Sequence, residues 1–189
     1  MIGISMDNAM KAFRDMGKTP YYITGGGHDF PGGNAYVKAT LEVLRKTKSW
    51  IPDYIFLASG TGSTQAGILV GSKICGVNVK VIGVSIARRK EYGERVIKDF
   101  MEDFCKYYDV HVAQKDILLS DNYLFGGYEK YSEQLERTIR GVIAETGIVF
   151  DTTYSGKALY GMLDFVKKNH LEKKKILFWH TGGILNALK

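Results

Sequence analysis

Cysteine is almost absent: Cys75 and Cys105 are the only two in 189 residues. Two thiols without patterned spacing exclude a disulfide framework and a zinc site, and no metal is expected. Both fall in helix-like stretches, where buried, inert thiols are expected. Proline is nearly as rare, with three in all, and no Pro- or Ser-rich linker breaks the chain. One compact unit is expected. No apolar run approaches the roughly 20 residues needed to span a membrane. The stretch Met1-Ile2-Gly3-Ile4-Ser5-Met6-Asp7 reads as neither a signal peptide nor a transit peptide, so a cytoplasmic protein is expected. There is no repeat and no low-complexity tract. The basic excess, a net charge of +6, collects in Arg88-Arg89-Lys90, Lys167-Lys168 and Lys173-Lys174-Lys175. None of these runs carries the interleaved aromatics of a stacking platform, so no nucleic-acid partner is expected, although charge alone keeps a basic nucleic-acid-binding α/β protein as an alternative. Solvated helix faces, with some pull on an anionic ligand, account for it.

What is present suffices for one good core: 45% of residues are hydrophobic and 24% charged. Short β-rich runs alternate with helical patterns. Helices are predicted over residues 7–16, 33–47, 64–74, 90–107, 129–146 and 156–169, with a short closing helix after residue 183. Strands are predicted over residues 20–24, 54–58, 79–85, 117–119 and 175–180. Tyr54-Ile55-Phe56-Leu57-Ala58 is a continuous apolar run, as a strand buried on both faces requires. This alternation predicts an α/β fold, three layers α/β/α with a mostly parallel sheet and right-handed crossovers. In such sheets ligands bind at the carboxyl ends of strands. Three Gly-rich turns follow predicted strands, at 25–27, 60–63 and 181–183, and their tips should converge on one crevice.

The strongest chemical signal is Ser59-Gly60-Thr61-Gly62-Ser63-Thr64, between a buried strand and a helix. Glycines let the backbone turn and expose N–H groups. Thr61, Ser63 and Thr64 add hydroxyls, and the helix start adds its positive dipole end. The result is a cradle of uncharged donors for a dianionic phosphate, although a simple capped strand-to-helix turn would look similar. The P-loop pattern is absent because no Gly-Lys-Ser/Thr closes the turn, and the dinucleotide pattern is absent too. Tyr154-Ser155 opens a later helix, where Ser155 could meet a ligand or only cap the helix. His180, before Thr181-Gly182-Gly183, reads as a packed, hydrogen-bonded histidine rather than a catalyst. Tyr128, after Gly126-Gly127, could reach the crevice or serve packing.

Together these segments resemble the D-cysteine desulfhydrase and 1-aminocyclopropane-1-carboxylate deaminase group. These are pyridoxal-phosphate enzymes of tryptophan-synthase-β-like fold. The resemblance runs from about Lys18 onward. It rests on Thr-Gly-Ser-Thr-Gln-Ala-Gly (61–67), Gly127-Tyr128, Gly147-Ile148, Asp151-Thr152-Thr153-Tyr154-Ser155-Gly156-Lys157-Ala158 and Leu177-Phe178-Trp179-His180-Thr181-Gly182-Gly183. It implies that Thr61, Gly62, Ser63 and Thr64 hold the cofactor phosphate and that Ser155 faces the pyridine nitrogen. It also implies catalytic positions for Tyr154 and Tyr128 beside a small amino-acid substrate, and places Thr181 and Gly182 near the ring. The ring-opening deaminases carry Glu where this chain has Ser155, and the desulfhydrases a hydroxyl. The resemblance thus leans toward β-elimination of thiol, giving an α-keto acid and ammonia.

Two departures stand out. Gly26-Gly27-His28-Asp29 replaces the family's Gly-Gly-Ser-Asn. No lysine here sits in the family's Gly-Asn-Lys setting, whose Lys forms the Schiff base, and Lys157 matches a different family position. The resemblance therefore implies a single domain over 1–189, incomplete at the N-terminal side. Residues 1–17 and 20–125 form one part, and 126–189 return to the same sheet. It implies a homodimer, or a partner chain carrying the missing part, and little activity for this chain alone. The alternatives are a non-catalytic phosphate-binding remnant, a subunit of a split enzyme, and a 1-aminocyclopropane-1-carboxylate deaminase.

Overall fold

A computed structural model describes residues 2–47 and 49–187. Four parallel strands form one sheet in the order β3-β2-β1-β4. They are β1 (Tyr54–Ser59), β2 (Lys80–Ser85), β3 (Leu118–Ser120) and β4 (Ile176–Trp179). Helices α1 (Ile2–Asp15), α2 (Phe30–Lys46), α3 (Ser63–Ile74), α4 (Lys90–Tyr108), α5 (Glu133–Thr146), α6 (Ser155–Lys168) and α7 (Ile184–Ala187) accompany it. The three-layer α/β/α expectation holds.

The alternation of strand side chains explains the layers. Ile55, Leu57 and Val81 enter one core with Val37, Ile68, Ile97 and Phe104, beneath α2, α3 and α4. Ala58 and Val84 point the other way, toward Tyr123 and Ala158 under α6. Phe56, also fully buried, meets the Phe165 ring at 5.5 Å on that side. A strand covered on both faces has no polar face to show, hence the unbroken apolar run of β1. Helices α2 and α3 lie close: a Cβ on Gly67 would come 2.5 Å from the Gly33 carbonyl oxygen.

Local chemistry sets the helix ends. Asp29, in the segment that departs from the family pattern, caps α2 by accepting from the Gly32 N–H at 2.9 Å. Ser132 caps α5, accepting from Leu135 N–H at 3.2 Å, so that helix starts after residue 132 rather than at 129.

The strand expected over 20–24 does not form. Tyr21, Tyr22 and Ile23 lie exposed, and no described strand pairs with them. Their β-forming side chains have no neighbour to supply ladder hydrogen bonds. Cys75 and Cys105 are free and half-buried rather than buried, and burial pushes the Cys105 thiol pKa up. No described helix is long and apolar enough to cross a membrane.

Candidate functional site

At the carboxyl ends of the strands lies a cavity of about 470 Å³. Three Gly-rich turns do converge there, represented by Gly26, Gly60 and Thr181 to Gly183. The turn at 25–27 contributes without a strand before it.

One wall is the loop from β1 to α3. Gly62 adopts φ 93°, in the left-handed region, and stands at the N-cap of α3, where no side chain caps the helix. The positive end of α3 is therefore left to whatever enters the cavity. Thr61, Ser63 and Thr64 line the space, and the Thr61 and Ser63 hydroxyls lie 3.0 Å apart. Gly62 itself supports from behind, where an added Cβ would come 2.6 Å from Ile97 Cγ1.

A second wall, which includes Tyr154, is organised from behind by Asp151, which is 1% exposed. Its carboxylate accepts from the N–H groups of Thr153 (2.9 Å), Tyr154 (2.8 Å) and Ser155 (2.7 Å), and from the Ser155 hydroxyl at 2.7 Å. The Ser155 oxygen in turn accepts from Asp151 N–H at 3.1 Å. This knot starts α6 and turns Tyr154 into the cavity. Ser155 lies enclosed behind that wall, outside the cavity lining, with its hydroxyl engaged in both directions.

Tyr154 meets Tyr128, the two phenol oxygens 2.5 Å apart and the rings edge-on. Burial, then the hydrogen bond to Tyr128, pushes the Tyr154 pKa up to about 12. The folded chain holds this proton more tightly than the unfolded one. Tyr154 thus contributes stability that is complete below about pH 10 and is progressively lost as pH climbs toward 12. In Tyr128→Phe, the Tyr154 pKa is expected to fall back toward its ordinary value of 10, read by absorbance titration. An unchanged pKa would mean that burial alone raises it.

Seven of the nine residues singled out in the sequence line the cavity: Thr61, Ser63, Thr64, Tyr128, Tyr154, Thr181 and Gly182; Gly62 and Ser155 stand behind it. His180 is packed: its Nδ1 accepts from Gly182 N–H at 3.1 Å, so Nε2 donates to the Val149 carbonyl at 2.9 Å, with Phe150 beside the ring. It shapes the 181–183 turn.

Sequence reasoning missed Arg88 and Lys157. Arg88 lines the cavity and donates to the Thr61 carbonyl at 2.8 Å, so the cradle is not one of uncharged donors alone. Its place three residues past the end of β2 was the available signal. Lys157 is fully buried, and its ammonium donates to the carbonyls of Gly127 (2.7 Å), Leu124 (2.9 Å) and Ile86 (3.4 Å). It ties α6 to the loop that carries Tyr128. Burial pulls its pKa down, partly opposed by Asp151.

Residues 3–182 match the family described as pyridoxal-phosphate dependent enzymes. The chain belongs to that family. It is 34% identical to the mitochondrial bifunctional D-cysteine desulfhydrase/1-aminocyclopropane-1-carboxylate deaminase of Arabidopsis thaliana, over 96% of this chain and 46% of that protein. It is 31% identical to a 1-aminocyclopropane-1-carboxylate deaminase of Bradyrhizobium, over 96% of this chain and 56% of that protein. The crystal structure of an ACC deaminase homologue superposes with a TM-score of 0.86 at 33% identity, covering 98% of this chain and 55% of that one. Processed threonine deaminase isoform 2 of Solanum lycopersicum, at 16% identity and TM-score 0.55, shares the fold. The chain spans about half the length of the relatives it matches.

The family's cofactor is pyridoxal phosphate. The cavity fits it: an uncapped helix start, three hydroxyls and one guanidinium suit a phosphate ester. Bound pyridoxal phosphate supplies an electron sink for charge developing on a substrate carbon.

Proposed function

We propose that this chain forms the cofactor-cradling part of a pyridoxal-phosphate-dependent lyase, of D-cysteine desulfhydrase type, acting on a small amino acid. The product chemistry is β-elimination of thiol with release of an α-keto acid and ammonia. One observation carries the reading: the loop at the uncapped start of α3 and the Tyr128–Tyr154 pair line one cavity.

In this reading Thr61, Ser63 and Thr64 hold the phosphate, with Gly62 permitting the turn. Thr181 and Gly182 flank the ring, and Ser155 supports its nitrogen side through the Asp151 knot. Tyr154 and Tyr128 act at the substrate. With its pKa near 12, Tyr154 is protonated at neutral pH, and the pair acts as a donor to developing negative charge. No lysine lines the cavity among the described residues, and the Lys157 ammonium is committed to carbonyls. We therefore assign the Schiff-base lysine to another segment or a partner subunit, a second copy or a different chain. A cytoplasmic setting belongs to this reading, in keeping with the free thiols Cys75 and Cys105.

A second reading, 1-aminocyclopropane-1-carboxylate deaminase, is favoured by the names of the relatives. The family resemblance, in which ring-opening deaminases carry a glutamate where this chain has Ser155, leans toward elimination instead.

The test is a binding titration of the chain with pyridoxal phosphate and with pyridoxal, followed by absorbance and fluorescence. The phosphate ester is expected to bind at least about tenfold more tightly, as a few charge-assisted hydrogen bonds require. Equal affinities would remove the phosphate cradle and the reading with it.

A further inference from the structure

We propose that Arg88 is the residue by which this cavity selects a doubly charged phosphate ester, holding the 60–64 loop in its binding shape while adding a fixed positive charge beside it. The inference rests on the cofactor reading above and assigns the site's preference for charge to one side chain.

Among the described residues lining the cavity, Arg88 is the one ionised group; no Asp, Glu, Lys or His joins it. The basic run 88–90 divides in direction. Arg89 is 80% exposed at its side chain and faces Asp121 at 3.9 Å, and the Lys90 N–H also points to that carboxylate, at 3.2 Å. Only Arg88 turns inward. Its backbone is fixed for this: the Ser85 hydroxyl donates to the Arg88 carbonyl at 2.6 Å and accepts from the Arg88 N–H at 3.0 Å. The side chain is held from two more directions. Nη1 donates to the Thr61 carbonyl, and the guanidinium lies 5.7 Å from the Tyr92 ring. The charge also acts locally, helping burial to pull the His28 pKa down.

A guanidinium has five N–H donors in a fixed fork. The contact to Thr61 occupies the carbonyl of the loop and turns it away from the cavity's anion. That leaves the loop's N–H side for the ligand and further guanidinium donors for its oxygens. A helix start and three hydroxyls supply dipoles, whose pull falls off with distance faster than that of a net charge. A full positive charge in a partly enclosed site favours the dianion.

The experiment compares the wild-type chain with Arg88→Gln and Arg88→Lys. Affinities for pyridoxal phosphate, pyridoxal and inorganic phosphate are measured at two salt concentrations, and circular dichroism and thermal melts verify folding. Arg88→Gln is expected to weaken pyridoxal phosphate and inorganic phosphate by about tenfold or more, and pyridoxal by less than about twofold. Arg88→Lys, keeping charge but not the fork, should fall between. An equal loss for all three ligands would make Arg88 a support for the loop only, and an unchanged preference in folded Arg88→Gln would overturn the assignment outright. Wild-type chain with no preference for the phosphate ester overturns the cofactor reading and this assignment together. Wild type with the preference, and Arg88→Gln without loss of it, overturns this assignment alone.

Discussion

Asp151→Ala is expected to destabilise the chain by about 3–5 kcal/mol, because several buried donors lose their acceptor at once. The carboxylate takes three backbone N–H groups and the Ser155 hydroxyl, all within 2.9 Å, at a site 1% exposed. Each orphaned buried donor costs about 1–3 kcal/mol, and water entering the vacated space offsets part of the sum. For a chain of this length the loss corresponds to roughly 6–20 °C in melting temperature. Asp151→Asn keeps one oxygen acceptor and should lose less. Urea and thermal unfolding would check both, and an alanine variant within about 1 kcal/mol of wild type would show that the knot is hydrated and contributes little. Because the knot aims Tyr154, the alanine variant should also lose the elevated Tyr154 pKa.

Gly62→Ala should be the most damaging single methyl in the phosphate loop. At φ 93° an L side chain is strained, and its Cβ would come 2.6 Å from Ile97 Cγ1. Strain of about 1–3 kcal/mol adds to overpacking of similar size, so a loss of about 2–6 kcal/mol is expected. The loop can relieve this only by moving its N–H groups off their positions. Affinity for pyridoxal phosphate should therefore fall by more than about tenfold even where the variant still folds. An alanine variant with wild-type affinity would mean that the loop's turn is not what presents the donors.

Much of this was legible in the sequence, for identifiable reasons. Strands covered on both faces, such as 54–58, announce themselves by apolar continuity, and the helices by their period. The segment 20–24 misled because β-propensity describes a side chain's fit to a sheet and not the presence of a neighbouring strand. The loop at 59–64 was readable because its chemistry is local: glycines, hydroxyls and a helix start lie within six residues. Arg88 and Lys157 were not, because what each does depends on partners far along the chain. Arg88 reaches Thr61, 27 residues away, and Lys157 reaches Gly127 and Ile86, 30 and 71 residues away. In a basic run and a helical pattern, each looks like any other lysine or arginine.

The central position of β1 has a consequence for how the chain comes together. Its neighbour β2 follows within one helix, while its other neighbour, β4, arrives more than a hundred residues later; the Lys175 N–H to Asp53 carboxylate bond spans 122 residues. Joining such distant segments costs chain entropy before their contacts can repay it, and such pairings form slowly. The turn at 181–183 directly follows β4 and supplies one side of the cavity. A ligand gripped from both sides can thus stabilise only the finished sheet and cannot template its early half. Until β4 docks, one edge of β1 stays open, and the half-built protein is at its most prone to pair with the wrong strand.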